Sequence, residues 1–276
     1  MKLLVTGGLG FIGSNFILNV IQNYDDFQVT NVDDQLYGSN SQNLTDIDNS
    51  KNYQFVKGNI TNIKLIDKLV SDCDMIVNFA AESHVDRSIA NINPFVESNI
   101  LGVSTLLNSI KKNKKKFLHV STDEVYGSLE HGSAEENSKF NPSSPYAATK
   151  AAGELLINSF ITTYDQNCMI TRCTNNYGPR QFPEKLIPKT ILLAEKNQKI
   201  PLYGSGKNIR DWIYVTDHCK AILDVLLNGK SGESYNISAN NEIDNITIIK
   251  KILSLMDKSE ELLEFVEDRP GHDFRY

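Results

Sequence analysis

The chain has 276 residues, 40% of them hydrophobic and 22% charged, which excludes a disordered or low-complexity polypeptide and leaves ample apolar material for a core. A net charge of −6 and a pI near 5.4 mean that an anionic ligand must be held by locally placed cations and backbone N–H groups, and no nucleic-acid partner is expected. Mean hydropathy is −0.31 and no apolar run approaches the ~18 residues that cross a bilayer, so no membrane partner is expected either.

Met1 leads straight into Lys2-Leu3-Leu4-Val5-Thr6, which reads as a first β-strand ending in glycines rather than as a signal peptide. Further apolar runs at 29–32, 53–56, 75–79, 117–121 and 169–172 read as buried parallel strands. Between them, helix-period segments fall near 11–24, 63–70, 94–113 and 145–164. Short strands alternating with helices of ten or more residues predict βαβ crossovers. The expected fold class is therefore α/β, a doubly wound parallel (Rossmann-type) sheet with helices on both faces.

Beyond Arg172 the rhythm loosens, with Pro179, Pro183, Pro188, Pro201 and a Gly204-Ser205-Gly206 turn between helices expected near 186–196, 216–228 and 246–256. This divides the chain into a cofactor-binding domain over 1–174 and a smaller, interleaved C-terminal substrate lobe over 175–276. Cys73, Cys168, Cys173 and Cys219 form no Cys-x-x-Cys pair and are expected to be buried free thiols with no metal site, in a reducing cytoplasm. The lysine-rich run 111–116 closes a helix, where cations favour the negative end of the dipole.

Three clusters carry chemistry. Gly7-Gly8-Leu9-Gly10-Phe11-Ile12-Gly13 sits between the first strand and the first helix, where glycines let a pyrophosphate approach the helix N-terminus. Asp33, twenty positions past Gly13 at the end of the second strand, suits ribose hydroxyls and repels a 2′-phosphate, so NAD is expected as cofactor. Tyr146 and Lys150 stand one helical turn apart on one face, and the ammonium is expected to lower the phenol's pKa and make it a usable base. Thr122, Asp123 and Glu124 lie at the carboxyl end of the fifth strand, the edge where open α/β sheets gather ligands.

These motifs, with Ala80 to Ser88, Asn175-Asn176-Tyr177-Gly178-Pro179, Phe182 to Pro188, Arg210-Asp211-Trp212 and Asp268 to Asp273, resemble the dTDP-glucose 4,6-dehydratase family of the extended short-chain dehydrogenase/reductase superfamily along nearly the whole chain. The resemblance implies oxidation of a hexose at C4, loss of water across C5 and C6, and return of the hydride to C6. Tyr146 would take the C4 hydroxyl proton, Lys150 hold the phenolate, Glu124 remove the C5 proton, Asp123 protonate the departing hydroxyl, and Thr122 hydrogen-bond the sugar. Cofactor contacts would come from Gly7, Gly10, Phe11, Ile12, Gly13, Asp33, Asn59, Ile60, Ala80, Ala81, Glu82, Ser98 and Asn176, besides Tyr146 and Lys150.

The nucleotide sugar would be held by His84, Thr122, Asn175, Lys185, Leu186, Pro201, Leu202, Tyr203, Arg210, Asn245, Arg269 and His272, with Arg210 and Arg269 suited to a diphosphate. His119, His131 and His218 carry no such role; core, loop and surface placements are expected for them. The family also implies a homodimer packed through the helices at 94–113 and 145–164. A UDP-glucose 4,6-dehydratase, an NDP-sugar 4-epimerase and a catalytically idle NAD-binding relative are the alternatives. Residues 34–36 are Asp-Gln-Leu where the family usually carries Lys-Leu-Thr, and relatives continue past the position of Tyr276, which predicts a less stable substrate lobe with weaker sugar-nucleotide binding.

Overall fold

A computed structural model describes residues 1–276. Seven strands form one parallel sheet: β1 (Lys2–Thr6), β2 (Gln28–Asp33), β3 (Tyr53–Lys57), β4 (Met75–Asn78), β5 (Lys116–Thr122), β6 (Cys168–Cys173) and, after three strands of the smaller lobe, β10 (Ser234–Ile237). Their spatial order is β10-β6-β5-β4-β1-β2-β3, so the chain reverses its direction of travel across the sheet between β1 and β4. A ligand crevice opens at such a switch point, outside the carboxyl ends of the strands.

The pleat sorts the core into two layers. Leu3, Val5, Met75, Val77 and Leu118 turn toward one face, beneath α1 (Phe11–Asn23) and α8 (Val215–Asn228). Leu4, Ile76, Phe117 and Ile170 turn toward the other, beneath α2 (Ile63–Ser71), α5 (Val103–Asn113) and α6 (Pro145–Tyr164). The doubly wound sheet expected from the strand–helix rhythm is present. Both β10 and α8 come from beyond residue 174, so packing does not divide where the sequence rhythm changes.

The expected helix at 94–113 is broken into pieces. After α3 (Val85–Ala90), α4 (Asn93–Val96) passes into a π-helical segment, Glu97–Gly102, before α5 begins. Two close approaches accompany it: a Cβ on Gly102 would meet Ile60 at 2.3 Å, and one on Gly153 of α6 would meet the Asn99 carbonyl at 2.8 Å. The Asn99 side chain ties the segment to Glu82 and Thr149. Such wide turns concentrate at functional sites, and this one carries Ser98 into the cleft.

The smaller lobe holds α7 (Leu186–Glu195), α9 (Asn245–Leu255) and two short sheets. The first is β11-β9-β7, from β7 (Asn175–Tyr177), β9 (Ile209–Tyr214) and β11 (Glu242–Asp244); the second pairs β8 (Ile200–Tyr203) with β12 (Leu263–Val266). Ala194, Ile200, Leu202, Ile249 and Leu253 form its core. All four cysteines are buried free thiols.

Candidate active site

A cleft of about 370 Å³ runs along the carboxyl ends of β1, β2, β4 and β5 and beneath the loop after β7. The glycine loop forms one end. Gly7 holds φ at +73°, and a Cβ there would lie 2.5 Å from the Ala80 nitrogen; on Gly13 it would lie 2.5 Å from the Gly7 carbonyl. No side chain caps α1, so its first-turn N–H groups stay open for an anion. Asp33 accepts from the Leu9 nitrogen at 3.0 Å, the Gln35 nitrogen at 2.8 Å and the Ser39 hydroxyl at 2.8 Å. A carboxylate has about four acceptor sites, which leaves one for a ribose hydroxyl. The cradle fits a dinucleotide. Asn59, Ile60, Ala80, Ala81, Glu82, Ser98 and Asn176 line the same cleft.

Asn176 is fixed rather than free: its amide donates to the Thr174 carbonyl at 3.0 Å, and its oxygen meets Nδ1 of His218 at 2.9 Å. The surface placement expected for His218 is corrected here, since the residue is fully buried beneath this contact. His119 occupies the core, as expected.

The chemical groups meet in the middle of the cleft. Thr122 ends β5 and caps the short turn after it, accepting from the Glu124 nitrogen at 3.3 Å and donating to Asp123 at 3.3 Å. Ser144 caps α6 and Ser88 accepts from the Tyr146 nitrogen at 3.1 Å, which fixes the start of that helix. Thr122, Asp123, Glu124, Tyr146, Lys150, Asn175 and Lys185 all line the cleft.

The two carboxyls have unlike surroundings. Burial, and then the Glu124 carboxylate, push the Asp123 carboxyl well above the usual range, and its Oδ2 is buried without a partner. Burial also raises Glu124, but Lys185, Arg210 and Arg269 oppose it with positive charge. Asp123 is thus the better acid and Glu124 the better base.

The expected lowering of the Tyr146 phenol is not seen. Burial, with Glu124 and Cys173 behind it, raises the phenol well above its usual value, and only Thr122 works the other way. The reason lies with Lys150, whose Nζ bonds the Val120 carbonyl at 2.8 Å and lies 3.3 Å from Nε2 of His119. Burial lowers the lysine to about 8.

Of the substrate-side residues, His84, Thr122, Asn175 and Lys185 line the cleft, whereas Tyr203, Arg210, Arg269 and His272 stand outside its lining. His84 lies 3.4 Å from Glu184, which also accepts from Tyr37, and Lys185 donates to the Ser83 carbonyl at 3.3 Å. Arg269 binds Asp86 at 3.0 Å and keeps its Nε buried and unpartnered, a donor fit for an anionic group. His272 holds Asp268 at 2.6 Å and stands edge-on to Tyr203.

Arg210 differs from expectation. Its guanidinium donates to the carbonyls of Ile209, Asp273 and Phe274 and lies 4.1 Å from the ring centroid of Tyr276. Leu202 differs too: its side chain is enclosed in the small core with Ile200, outside the lining of the cleft. Leu186, Pro201 and Asn245 begin α7, lie in β8 and begin α9 respectively, outside the lining of the cleft.

Residues outside the expected set also line the cleft, among them Glu184 and Gln181. Glu184 accepts from the Tyr37 hydroxyl and Gln181 donates to the Asn176 carbonyl at 2.8 Å. The neighbouring Glu184-Lys185 pair was the available signal, but charge in a loop does not by itself show which way a side chain faces.

Known proteins resemble this chain over its whole length. The family described as GDP-mannose 4,6 dehydratase matches residues 4–275. The low-salt glycan biosynthesis protein Agl12 of Haloferax volcanii is 49% identical over 100% of this chain and 89% of its own length. A dTDP-glucose 4,6-dehydratase of Streptomyces niveus is 45% identical, with 100% and 84% covered. The crystal structure of DesIV, a dTDP-glucose 4,6-dehydratase from Streptomyces venezuelae with NAD and TYD bound, superposes with a TM-score of 0.98 at 42% identity, covering 100% of this chain and 87% of that one. The chain belongs to the dTDP-glucose 4,6-dehydratase family of the extended short-chain dehydrogenase/reductase superfamily.

Proposed function

We propose that the chain is an NAD-dependent hydro-lyase that converts dTDP-glucose to dTDP-4-keto-6-deoxyglucose. The observation that carries the reading is the meeting of one phenol and two unlike carboxyls in a single cleft beside a dinucleotide cradle. An epimerase needs the phenol but has no task for the carboxyl pair.

Gly7, Gly10, Gly13 and Asp33 hold NAD at one end, with Asn176 held by His218 at the other. When bound, NAD supplies the hydride acceptor for C4, returns that hydride to C6, and brings a positive ring that favours phenolate. Tyr146 takes the C4 hydroxyl proton. A C4 ketone makes the C5 proton acidic, and Glu124 removes it. Asp123 gives its proton to the C6 oxygen as water leaves. Thr122 orients the sugar and steadies the phenolate. His84, Lys185 and Arg269 hold the nucleotide diphosphate.

Residues 1–174 act chiefly on the cofactor and 175–276 on the nucleotide sugar, in a cytoplasmic enzyme. Leu101 and Leu155 stand exposed beside one another's helices and support a homodimer through that face. Incubating the NAD-loaded protein with dTDP-glucose and following the alkaline ultraviolet absorbance of a 4-keto-6-deoxy sugar tests the activity. Product from dTDP-glucose is expected, UDP-glucose run in parallel gives the base preference, and no product from either overturns the reading.

A further inference from the structure

Behind the phenol and the lysine, His119 is 1% exposed and lies between two polar side chains. The pleat of β5 turns it toward α6, like Phe117 two residues earlier. Nε2 is 3.3 Å from Nζ of Lys150, and Nδ1 is 2.9 Å from the side-chain amide of Asn78. Asn78 in turn accepts from the Thr6 hydroxyl at 2.5 Å. Four buried side chains from β1, β4, β5 and α6 thus form one polar chain ending at the lysine.

The groups around the lysine are few. Glu154 lies one turn further along α6 and is held by Arg172, Cys173 faces it from β6, and Tyr146 precedes it on its own helix. Lys150 is the one charged group that acts on His119. Burial keeps that imidazole neutral, well below its ordinary pKa.

A neutral imidazole here has two arrangements. An ammonium only donates, so opposite a charged Lys150 the Nε2 atom accepts, the proton sits on Nδ1, and the Asn78 amide offers its oxygen. A neutral amine both donates and accepts, so Nε2 can then carry the proton while Nδ1 accepts from the amide NH₂, the orientation in which the Asn78 oxygen meets Thr6. The two orientations of the Asn78 amide have the same shape. The charged lysine therefore admits one imidazole tautomer, and loss of its charge opens the other.

We propose that His119 is a positioning residue for Lys150: it fixes the ammonium through Nε2 and, by exchanging tautomers against Asn78, sets the pH at which the lysine loses its charge. The effect on turnover rests on the dehydratase reading; the coupling of tautomer to lysine charge does not. Above that pH the amine one helical turn behind Tyr146 no longer brings a positive charge to the site, so the network places the alkaline limit of the enzyme.

Nitrogen-15 resonances of histidine-labelled, NAD-loaded protein test the coupling directly between about pH 6 and pH 10. One imidazole, identified by its absence in His119→Gln, is expected to exchange its protonated nitrogen as the lysine titrates. A tautomer constant across the range overturns the proposal, and this measurement needs neither turnover nor a destabilised variant. In kinetics, His119→Phe removes an acceptor from the ammonium and is expected to move the alkaline limb of kcat/KM down by about one pH unit, with kcat about tenfold lower there and KM within about twofold. His119→Gln, whose amide oxygen accepts in the same place, is expected to restore the limb. A uniform loss at every pH with the limb unmoved would show a packing role only. Absence of product from the unaltered enzyme would remove the dehydratase reading and leave the tautomer measurement standing.

Discussion

Arg172 and Glu154 form a buried pair in which Nε and Nη2 of the guanidinium donate to one carboxylate oxygen at 2.9 and 2.7 Å. The arginine stands on β6 and the glutamate on α6, one turn past Lys150. The pair therefore locks α6, the helix that carries Tyr146 and Lys150, to the sheet. Glu154→Ala leaves a buried guanidinium without its anion and is expected to cost about 3–5 kcal/mol of stability in urea unfolding. A loss under about 1 kcal/mol would show that the helix is held elsewhere.

Asp123 and Glu124 should fail in different ways. In Glu124→Gln, exchange of the C5 hydrogen with deuterated solvent should stop, because no base remains to lift it. Asp123→Asn should slow water loss, with the two variants each losing about 10²–10⁴-fold in kcat while NAD affinity is retained. Unimpaired turnover in either variant would remove its assigned role.

The acid that is good for chemistry is poor for stability. Asp123 has its folded pKa raised by burial first and Glu124 second. A carboxyl so shifted holds its proton in the native state after the unfolded chain has released it. Its contribution is therefore full below the unfolded value of ~3.9 and is lost progressively as pH rises toward the folded one, with a slope of up to ~1.4 kcal/mol per pH unit. Urea midpoints measured across this window should fall less steeply for Asp123→Asn than for the parent protein, and the variant should be the more stable at neutral pH.

Gly13→Val places a side chain against the Gly7 carbonyl, where even a Cβ comes within 2.5 Å. Since both groups are backbone, neither can swing aside. NAD affinity measured by titration calorimetry should fall at least about tenfold, whereas a retained affinity would mean that the pyrophosphate does not approach this turn.

Leu101, on the π-helical segment, is 54% exposed, and Leu155, on the helix that carries Lys150, is 59% exposed. Leu101→Glu combined with Leu155→Glu should convert a dimer to monomers in light scattering, because a charge is costly in an apolar interface. An unchanged mass would place the interface on another face.

Periodicity made most of the large sheet legible. Leu3, Val29, Met75, Phe117 and Met169 all lie in strands because they open apolar runs too short for a helix, and their glycine or asparagine punctuation is local. Ser234 to Ile237 escaped because the Ser-Tyr-Asn-Ile run has only one residue enclosed and borrows its partner, β6, from far away in the chain. The π-helical turn escaped for a similar reason: Glu97 to Gly102 has good helix pattern, and only contacts with Ile60 and α6 reveal the wider turn. In the site, Asp123, Glu124 and Tyr146 were readable from their motif. The behaviour of Lys150 was not, because spacing on a helix shows which face a residue shares and not which atoms its amine reaches. Arg210 follows the same rule, turned to carbonyls that come from residues 273 and 274.

The strand β5 and the turn after it carry His119 and Val120, which grip the lysine, and then Thr122, Asp123 and Glu124 in unbroken succession. A one-residue insertion or deletion between His119 and Thr122 would turn the strand residues after it to the opposite face of the sheet and displace the turn that carries Asp123 and Glu124. Holding the ammonium and supplying the acid and the base would then be lost in a single event. The gene can explore this stretch by exchanging letters, never by changing their number, and laboratory libraries directed at it should be built with the same restriction.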